Sequence, residues 1–225
     1  MSSPAHRHYQ RVTAAEASAK AAANEQPVMV GNAYELMLAK LDADRRRLKS
    51  IQSVDRKIET KRELLPAYNA YVQGVLDAGR GVQDDVLMTI LVWRIDIGDL
   101  HGAIAIARHA LTHKLLLPDQ YQRSLGCLLA EEFADGALKA LKAGGAVDVP
   151  ALQTIAELTE AEDMPDEVRA KLLKAIGLGL EASAPAMAQG YLQQALAKHD
   201  GVGVKKDLER IARTIKNSAG GESTG

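Results

Sequence analysis

The stretch QDDVLMTILVWRIDIGD, residues 83–99, decides the fold class of this chain. It begins with two carboxylates, continues through a run of apolar residues and reaches a glycine at Gly98. Carboxylates in a first turn favour the positive end of a helix dipole, and glycine commonly ends a helix. We therefore predict a strongly apolar helix from about Gln83 to Ile97.

Helical signals continue on both sides of this segment. Alanine-rich stretches with AxxxA spacing dominate, and aromatic residues make up only 4% of the chain, whereas strands favour aromatic and β-branched residues. Glycines and prolines separate the predicted helices, and Pro150 and Pro165 suit the first turns of two of them. The other predicted helices cover residues 67–78, 100–113, 118–142, 184–199 and 204–215.

Two segments of the chain share a pattern. Residues 90–111 and 175–196 each predict a helix, a short turn and a second helix that ends in Ala-Leu. The pattern resembles a tetratricopeptide-type helix pair, although the identity between the copies is low. We predict an all-α fold, in which a long amino-terminal helix or coiled-coil hairpin precedes a bundle of antiparallel helix pairs with weak tetratricopeptide-like character.

Composition divides the chain into four parts. Residues 1–30 are rich in Ala, Ser and Gln, which predicts a mobile amino-terminal arm with a nascent helix at 13–23. We expect residues 31–65 to form a long basic helix or helical hairpin and residues 66–216 a helical core domain. Residues 217–225 predict a disordered tail.

The segment from Ala33 to Leu65 carries a heptad pattern. Asp44, Asp55 and Arg62 interrupt the seam, and a break near residues 50–54 would equally suit a helix–turn–helix, so both interpretations stay open. A continuous seam would be a candidate for packing between subunits. The apolar seam positions are Tyr34, Met37, Leu41, Leu48, Ile51, Ile58 and Leu65.

Composition also excludes several classes of protein. The 28 basic and 29 acidic residues nearly cancel, which excludes a histone-like DNA coat. The single cysteine, Cys127, cannot form an internal disulfide. We find neither an apolar run of the ~20 residues that a membrane span needs nor a signal-peptide pattern. No phosphate-binding glycine motif follows a strand-like run, so we expect a cytosolic protein that is not an ATPase.

Charge is unevenly distributed. Residues 1–63 have a net charge of +4, residues 64–197 of −7, and residues from Lys198 onward of +2. Basic ends of this kind suggest contact with a polyanion, because each neutralised phosphate releases condensed counterions. Interleaved acids such as Asp42 and Glu59 could instead pair with the bases on a solvated helix face. The predicted DNA-binding residues are Arg45, Arg46, Arg47, Lys49, Arg56, Lys57, Arg7 and Arg11. Further bases are Lys61, Arg62, Lys205, Lys206, Arg210 and Arg213.

Candidate catalytic groups are scarce. The densest carboxylates are Asp84, Asp85, Asp96 and Asp99. Asp85 and Asp96 share a helix face but lie roughly 16 Å apart, whereas two-metal nucleases hold their ions ~4 Å apart. We favour helix-terminus and turn roles, with no catalytic residue, no metal and no cofactor. A Mg²⁺-dependent site that uses these aspartates is the alternative.

Two histidines, one cysteine and one tryptophan are the remaining candidate functional residues. His109 and His113 are one helical turn apart, but the glutamate of an HExxH motif is missing. Cys127 and Trp93 lie among apolar neighbours, and we predict both to be core residues.

Several blocks of sequence resemble one family. In chain order they are SPAHRH (3–8), RVTAA (11–15), YELMLAKL (34–41), KRELLP (61–66), GVLDAGRGVQDDVLMTILVWRIDIGD (74–99), MPDEVRAKL (164–172) and GVKKDLERI (203–211). Together they resemble the phage small terminase subunit of temperate tailed phages related to coliphage P2. The resemblance extends over nearly the whole chain, and the long central block is specific.

The resemblance implies a role in DNA packaging. Such subunits recognise a cohesive-end packaging site on concatemeric DNA in the cytoplasm of the infected bacterium, recruit the large ATPase and nuclease subunit, and usually assemble as rings. The family is also labelled the terminase endonuclease subunit, but without a compact acidic cluster we assign cutting chiefly to the large subunit. Some relatives extend into a strongly basic tail, whereas this chain ends in NSAGGESTG (217–225). If that tail binds DNA in those relatives, we expect DNA binding here either to shift to the amino-terminal third or to be weak for a single chain.

Two alternatives to this role remain open. One is a metal-dependent endonuclease that itself cuts the packaging site. The other is a helical-repeat adaptor that binds only protein and would show no affinity for DNA even at low salt.

Overall fold

The computed structural model describes residues 3–23, 32–118 and 123–221. The regular elements within these ranges are helices, which confirms the predicted all-α class. Contacts divide the chain into two compact units, unit 1 (residues 1–122) and unit 2 (residues 123–225). The α-helices are α1 Pro4–Ala23, α2 Asn32–Ser50, α3 Val54–Leu64, α4 Asn69–Ala78, α5 Asp85–Asp96, α6 Leu100–Thr112, α7 Leu125–Lys142, α8 Val149–Leu158, α9 Asp166–Leu180, α10 Pro185–Lys198 and α11 Lys205–Gly221.

Helix α5 forms the centre of unit 1. Its residues from Val86 to Trp93 are all buried, as expected for a helix that is apolar on every side. It contacts α2, α6 and the short 3₁₀ turn Leu65–Ala67. The ring of Tyr68 meets Trp93 edge to face, with 6.0 Å between the ring centroids. The most apolar stretch of the sequence is therefore a buried core helix on which α2 and α6 pack.

The long basic segment is a hairpin of two helices. Helix α2 ends at Ser50, and α3 begins at Val54 after Ser53, whose side-chain oxygen accepts a hydrogen bond from the backbone N–H of Arg56 at 3.3 Å. A serine N-cap of this kind starts a new helix, because it satisfies an N–H group that has no partner inside the helix. The structure thus favours the helix–turn–helix interpretation over one continuous helix.

The apolar seam is used within the chain itself. Tyr34, Met37, Leu41 and Leu48 are all buried on α2, and α2 contacts α5. We expected this seam to be a candidate for packing between subunits, and that expectation is wrong for these four side chains. They are already buried within unit 1, so another copy of the chain has no access to them.

Residues 4–23 form a packed helix where we expected a mobile arm. Ala14, Ser18 and Ala21 are fully buried, and their spacing puts them on one face of α1. Small side chains allow two helices to approach closely, and α1 packs on α4. At the closest point an added Cβ on Gly74 would lie 2.1 Å from the backbone oxygen of Arg11. Residues 1–2 and 24–31 of the predicted arm lie outside the described residues.

Unit 2 is built around α9. This helix contacts α7, α8 and α10, and α10 in turn contacts α11. Helix α7 begins at Leu125 and not at Pro118, because Ser124 caps it by accepting a hydrogen bond from the N–H of Cys127 at 3.2 Å. Cys127 itself is buried, as expected for a core residue.

The division into units differs from the predicted domains. The boundary between residues 122 and 123 falls inside the range 66–216, which we expected to form one core. Unit 1 instead joins the expected arm and hairpin to the first part of that range, because α1 packs on α4 and α2 on α5. Helix α11 continues to Gly221, into the predicted tail, and residues 222–225 lie outside the described part.

The two segments with a shared pattern form α5–α6 and α9–α10. Each is a pair of contacting helices, and each unit contains one pair. Within the described ranges no helix combines the length and the apolar character that a membrane span requires.

Gly74→Ala should loosen the contact between α1 and α4. The added methyl group would displace the backbone at Arg11, and such overpacking costs about 1–3 kcal/mol. We expect a lower free energy of unfolding and faster amide hydrogen exchange in α1. Gly136→Ala is the control, because a Cβ on Gly136 in α7 meets nothing within 4 Å, and it should stabilise the helix by about 0.5–1 kcal/mol. Equal protection of α1 in both variants would contradict the proposed close contact.

Candidate nucleic-acid interface

Tertiary contacts engage part of the basic hairpin. Arg45 donates a hydrogen bond to the hydroxyl of the buried Thr89 in α5, with 2.6 Å between Nη2 and Oγ1. Lys61 pairs with Asp96, also in α5. Arg62 donates to the backbone oxygen of Ile97 at 3.3 Å. These contacts hold α2 and α3 against the core, so Arg45 has a structural role besides any contact with DNA.

Three exposed cations of the hairpin have no such contact. The side chains of Arg46, Lys49 and Arg56, which we call the hairpin cations, form no hydrogen bond or ion pair with any described residue. Lys57 likewise has none but is half-buried. Arg47 differs, because its guanidinium lies 3.1 Å from Glu63. The interleaved acids therefore neutralise only part of the positive charge.

Asp44, which interrupts the apolar seam, has hydrogen-bond partners for its carboxylate. Its carboxylate pairs with Lys40 at 2.5 Å and accepts a hydrogen bond from the hydroxyl of Tyr68 at 2.6 Å. The ammonium group of Lys40 also lies 4.4 Å from the ring centroid of Tyr68, within the range of a cation–π contact. This acid is thus occupied by Lys40 and Tyr68, and it leaves the hairpin cations unneutralised.

The two arginines predicted in the amino-terminal arm have different surroundings. Arg7 is exposed, and its side chain has no partner among the described residues. Arg11 pairs with Asp77 of α4 at 2.6 Å, and Gln73 donates to the same carboxylate at 2.8 Å. The hydrogen bonds from Gln73 and Arg11 hold the pKa of Asp77 below its usual value. Arg11 therefore helps to fix α1 to α4.

Asp84 is a buried helix cap. Its carboxylate is fully buried and accepts two hydrogen bonds, from the N–H of Leu87 at 2.9 Å and from the hydroxyl of Tyr71 at 2.7 Å. Burial raises the pKa of Asp84 to about 6, although both hydrogen bonds favour the ionised form. Burial and the neighbouring Asp84 also raise the pKa of Tyr71 far above its usual value.

The other three aspartates lie in separate contacts. Asp85 is half-buried in the first turn of α5, and Asp96 pairs with Lys61. Asp99 caps α6 by accepting a hydrogen bond from Gly102 at 3.0 Å, and it pairs with Arg94 at 2.5 Å. Across the described residues, no group of three or more His, Cys, Asp or Glu side chains could hold a metal ion. Asp84, Asp96 and Asp99 therefore each have a structural contact of their own.

His109 in the last turn of α6 and His113, which caps the end of that helix, lie together, with 4.6 Å between their ring centroids. Burial and the neighbouring His113 lower the pKa of His109. The ring of His113 also fills the space beside Gly81, where an added Cβ would lie 2.6 Å from Nδ1. The pair therefore packs against the loop that precedes α5.

The buried carboxyl of Asp84 should make stability depend on pH. Its pKa is about 6 in the folded chain and 3.8 ordinarily, so between these values the folded state binds the proton more strongly than the unfolded state does. The stabilisation that comes from this stronger proton binding is fully present below about pH 4 and is lost as the pH rises through 6. Lowering the pH from 7 to 5 should therefore stabilise the wild type by about 1 kcal/mol relative to Asp84→Asn.

The measurement is urea unfolding of the wild type and Asp84→Asn across that pH range. Asparagine is an equally good N-cap but does not titrate, which makes it the matched control. The difference between the two free energies of unfolding should increase toward acid. A difference that does not change with pH would show that Asp84 has no raised pKa.

Comparisons with known proteins agree with these features. The family model described as phage small terminase subunit matches residues 38–167, which include most of the hairpin and all of α5. A protein of Escherichia phage P2 called "Terminase, endonuclease subunit" is 46% identical over 217 residues, which cover 96% of this chain and 87% of that protein. The "Probable terminase, endonuclease subunit" of Haemophilus phage HP1 is 27% identical over 145 residues, or 64% of this chain and 52% of that protein. No solved structure matches.

The matched region contains both the core helix α5 and the three hairpin cations. The resemblance inferred from blocks of sequence is confirmed by the match to phage P2 over most of the chain. The chain belongs to the phage small terminase subunit family, of the P2 type, and has a terminase role in DNA packaging with DNA and the large subunit as its partners.

Proposed function

We propose that this chain recognises the cohesive-end packaging site on concatemeric phage DNA and recruits the large terminase subunit to it. The hairpin cations are the observation that supports this proposal. They remain exposed and unpaired on two helices that are themselves fixed to the core by Arg45 and Lys61. A rigid surface with unpaired bases is suited to binding phosphates. No existing ion pair must be broken, and little conformational entropy is lost when the phosphate binds.

The contribution of each chain to affinity is small. The hairpin cations, together with Arg7 and Lys57, can neutralise only a few phosphates, and a few such contacts give weak binding at physiological salt. We propose that a homo-oligomeric ring repeats the surface around one DNA and so multiplies its avidity. The chain would act in the cytoplasm of the infected bacterium, where concatemeric DNA accumulates.

Replacing two hairpin cations should weaken DNA binding in a salt-dependent manner. For Arg46→Ala/Lys49→Ala we expect about tenfold lower affinity or more, and a salt slope smaller by about 2, because each lost phosphate contact removes about 0.9 from that slope. Fluorescence anisotropy with a duplex that contains the packaging site, titrated with KCl, measures both quantities.

The matched control is Lys139→Ala/Lys142→Ala. These two lysines are exposed at the end of α7 in unit 2 and form no ion pair with described residues, so the control removes the same charge elsewhere. Its affinity should equal that of the wild type. Wild-type affinity in the hairpin variant would contradict the hairpin as the DNA surface. No binding by the wild type even at low salt would instead favour the protein-binding adaptor.

A second candidate function is cutting by this chain itself. The names of both relatives, which include the words "endonuclease subunit", favour it. Against it, Asp84 caps α5, Asp96 pairs with Lys61 and Asp99 caps α6, so these carboxylates have other roles. We therefore propose that the holoenzyme cuts, chiefly through the large subunit.

Incubation of the purified chain with site-containing DNA and Mg²⁺ separates these two functions. We expect intact DNA with the chain alone and cut DNA once the large subunit is added. Cleavage by the chain alone that is abolished in Asp85→Asn would contradict our assignment. Asp85 is the informative position, because it is half-buried and does not cap a helix through its side chain.

A further inference from the structure

Helix α11 has two faces of opposite character. Val204, just before the helix, and Ile211 are fully buried in a cluster with Ala188 and Leu192 of α10, and Leu208 and Ile215 pack against this cluster. The opposite side of the helix is polar and exposed. Helix α11 carries five basic and two acidic side chains, so the exposed side is strongly positive.

Two of the bases fix α11 to the rest of unit 2. Arg210 forms two hydrogen bonds to Glu181 at the end of α9, at 2.5 and 2.7 Å, and also pairs with Asp207 at 2.7 Å. Lys205 pairs with Asp200 at 2.8 Å in the preceding 3₁₀ turn. The Arg210 guanidinium holds the pKa of Glu181 below its usual value. The Arg210–Glu181 contact thus ties α11 to the end of α9.

Three other bases on α11 have no acidic partner among the described residues. They are Lys206, Arg213 and Lys216, which we call the α11 cations, and all three are exposed. Arg213 donates only to the backbone oxygen of Glu209, through Nε at 3.2 Å, so its outer N–H groups are free to bind. An exposed base without a partner does not stabilise the fold through an ion pair, so these side chains are available for another role.

The spacing of the α11 cations suits the backbone of a nucleic acid. Lys206 and Arg213 are seven residues apart, which puts them on one line of the helix about 10 Å apart along its axis. Each strand of duplex DNA presents a phosphate every ~3.4 Å of axis, so the two side chains reach different phosphates. Lys216 lies one turn further on, about 60° around the helix from Arg213.

The composition of this face favours DNA over a protein partner. Protein interfaces have an apolar, often aromatic centre, whereas protein–DNA interfaces are polar and positively charged. The large apolar side chains that are exposed in the described part of the chain include none from α11. The one unpaired acid we find among the described residues of this face is Glu209, which lies between the cations.

We propose that the α11 cations form a second DNA-binding surface, which contacts the phosphate backbone independently of sequence. Each chain would then bind DNA through one surface in each of its two units. The hairpin in unit 1 would lie at the packaging site, and α11 would add affinity along any DNA. This inference rests on the DNA-binding role proposed above but not on the hairpin as its site.

The test measures binding of the full chain to two duplexes of equal length, one with the packaging site and one of unrelated sequence, over a KCl titration. For Lys206→Ala/Arg213→Ala we expect the affinity for both duplexes to fall by the same factor, about tenfold or more, and both salt slopes to decrease by about 2. Lys139→Ala/Lys142→Ala again serves as the control of equal charge. A third variant, Glu209→Gln, should raise the affinity for both duplexes several-fold, because it removes the acid between the cations.

The expected increase in DNA affinity of Glu209→Gln cannot be a result of misfolding, because a misfolded protein would not bind DNA more tightly. Wild-type affinity and slope in Lys206→Ala/Arg213→Ala would overturn the proposal. A loss confined to the site-containing duplex would also overturn it, because the surface would then contribute to sequence recognition. Loss of binding to the purified large subunit with unchanged DNA binding would assign the face to a protein partner. Failure of the hairpin proposal is a separate result, seen only in Arg46→Ala/Lys49→Ala.

Discussion

The carboxylate of Asp84 is buried among apolar side chains, and unit 1 depends on the hydrogen bonds that satisfy it. One oxygen of this carboxylate caps α5 through Leu87, and the other accepts from Tyr71 of α4. The same group therefore starts the most buried helix of the unit and joins it to a neighbour. An unsatisfied carboxylate at this depth would cost far more free energy than one hydrogen bond returns. Helix α4 then positions α1 through Gly74, and α5 positions α2 through Thr89.

The structure divides the basic residues of the chain into two groups. Arg11, Arg45, Arg47 and Arg210 contact acids or hydroxyl groups of neighbouring elements and so help to hold helices together. Those in the second group, such as Arg46, Lys49 and Lys206, are exposed without partners among the described residues. A base that is paired with an acid attracts a phosphate less strongly, because the neighbouring acid repels the phosphate. For this reason the second group carries the proposals made for DNA.

Membership of the phage small terminase subunit family gives these surfaces a context. A subunit with the proposed function would have to distinguish one site on a long concatemer and also stay near DNA that lacks the site. One surface that recognises the site and a second that binds any phosphate backbone would meet these two needs separately. Repetition around an oligomer would strengthen both.

The sequence by itself determined the all-α class, the apolar helix at its centre, the family and most helix positions, because helical periodicity, glycines, prolines and composition are local properties. It left open whether residues 33–65 form one helix or two, although Ser53 carried the signal of a new helix start. It also failed to predict that α1 packs on α4, since alanine-rich segments look alike whether they are packed or mobile. Only the tertiary structure decided which bases remain unpaired. Arg45 and Arg46 are adjacent and chemically identical, and they differ only because the 44 positions that separate Arg45 from Thr89 are bridged by the fold.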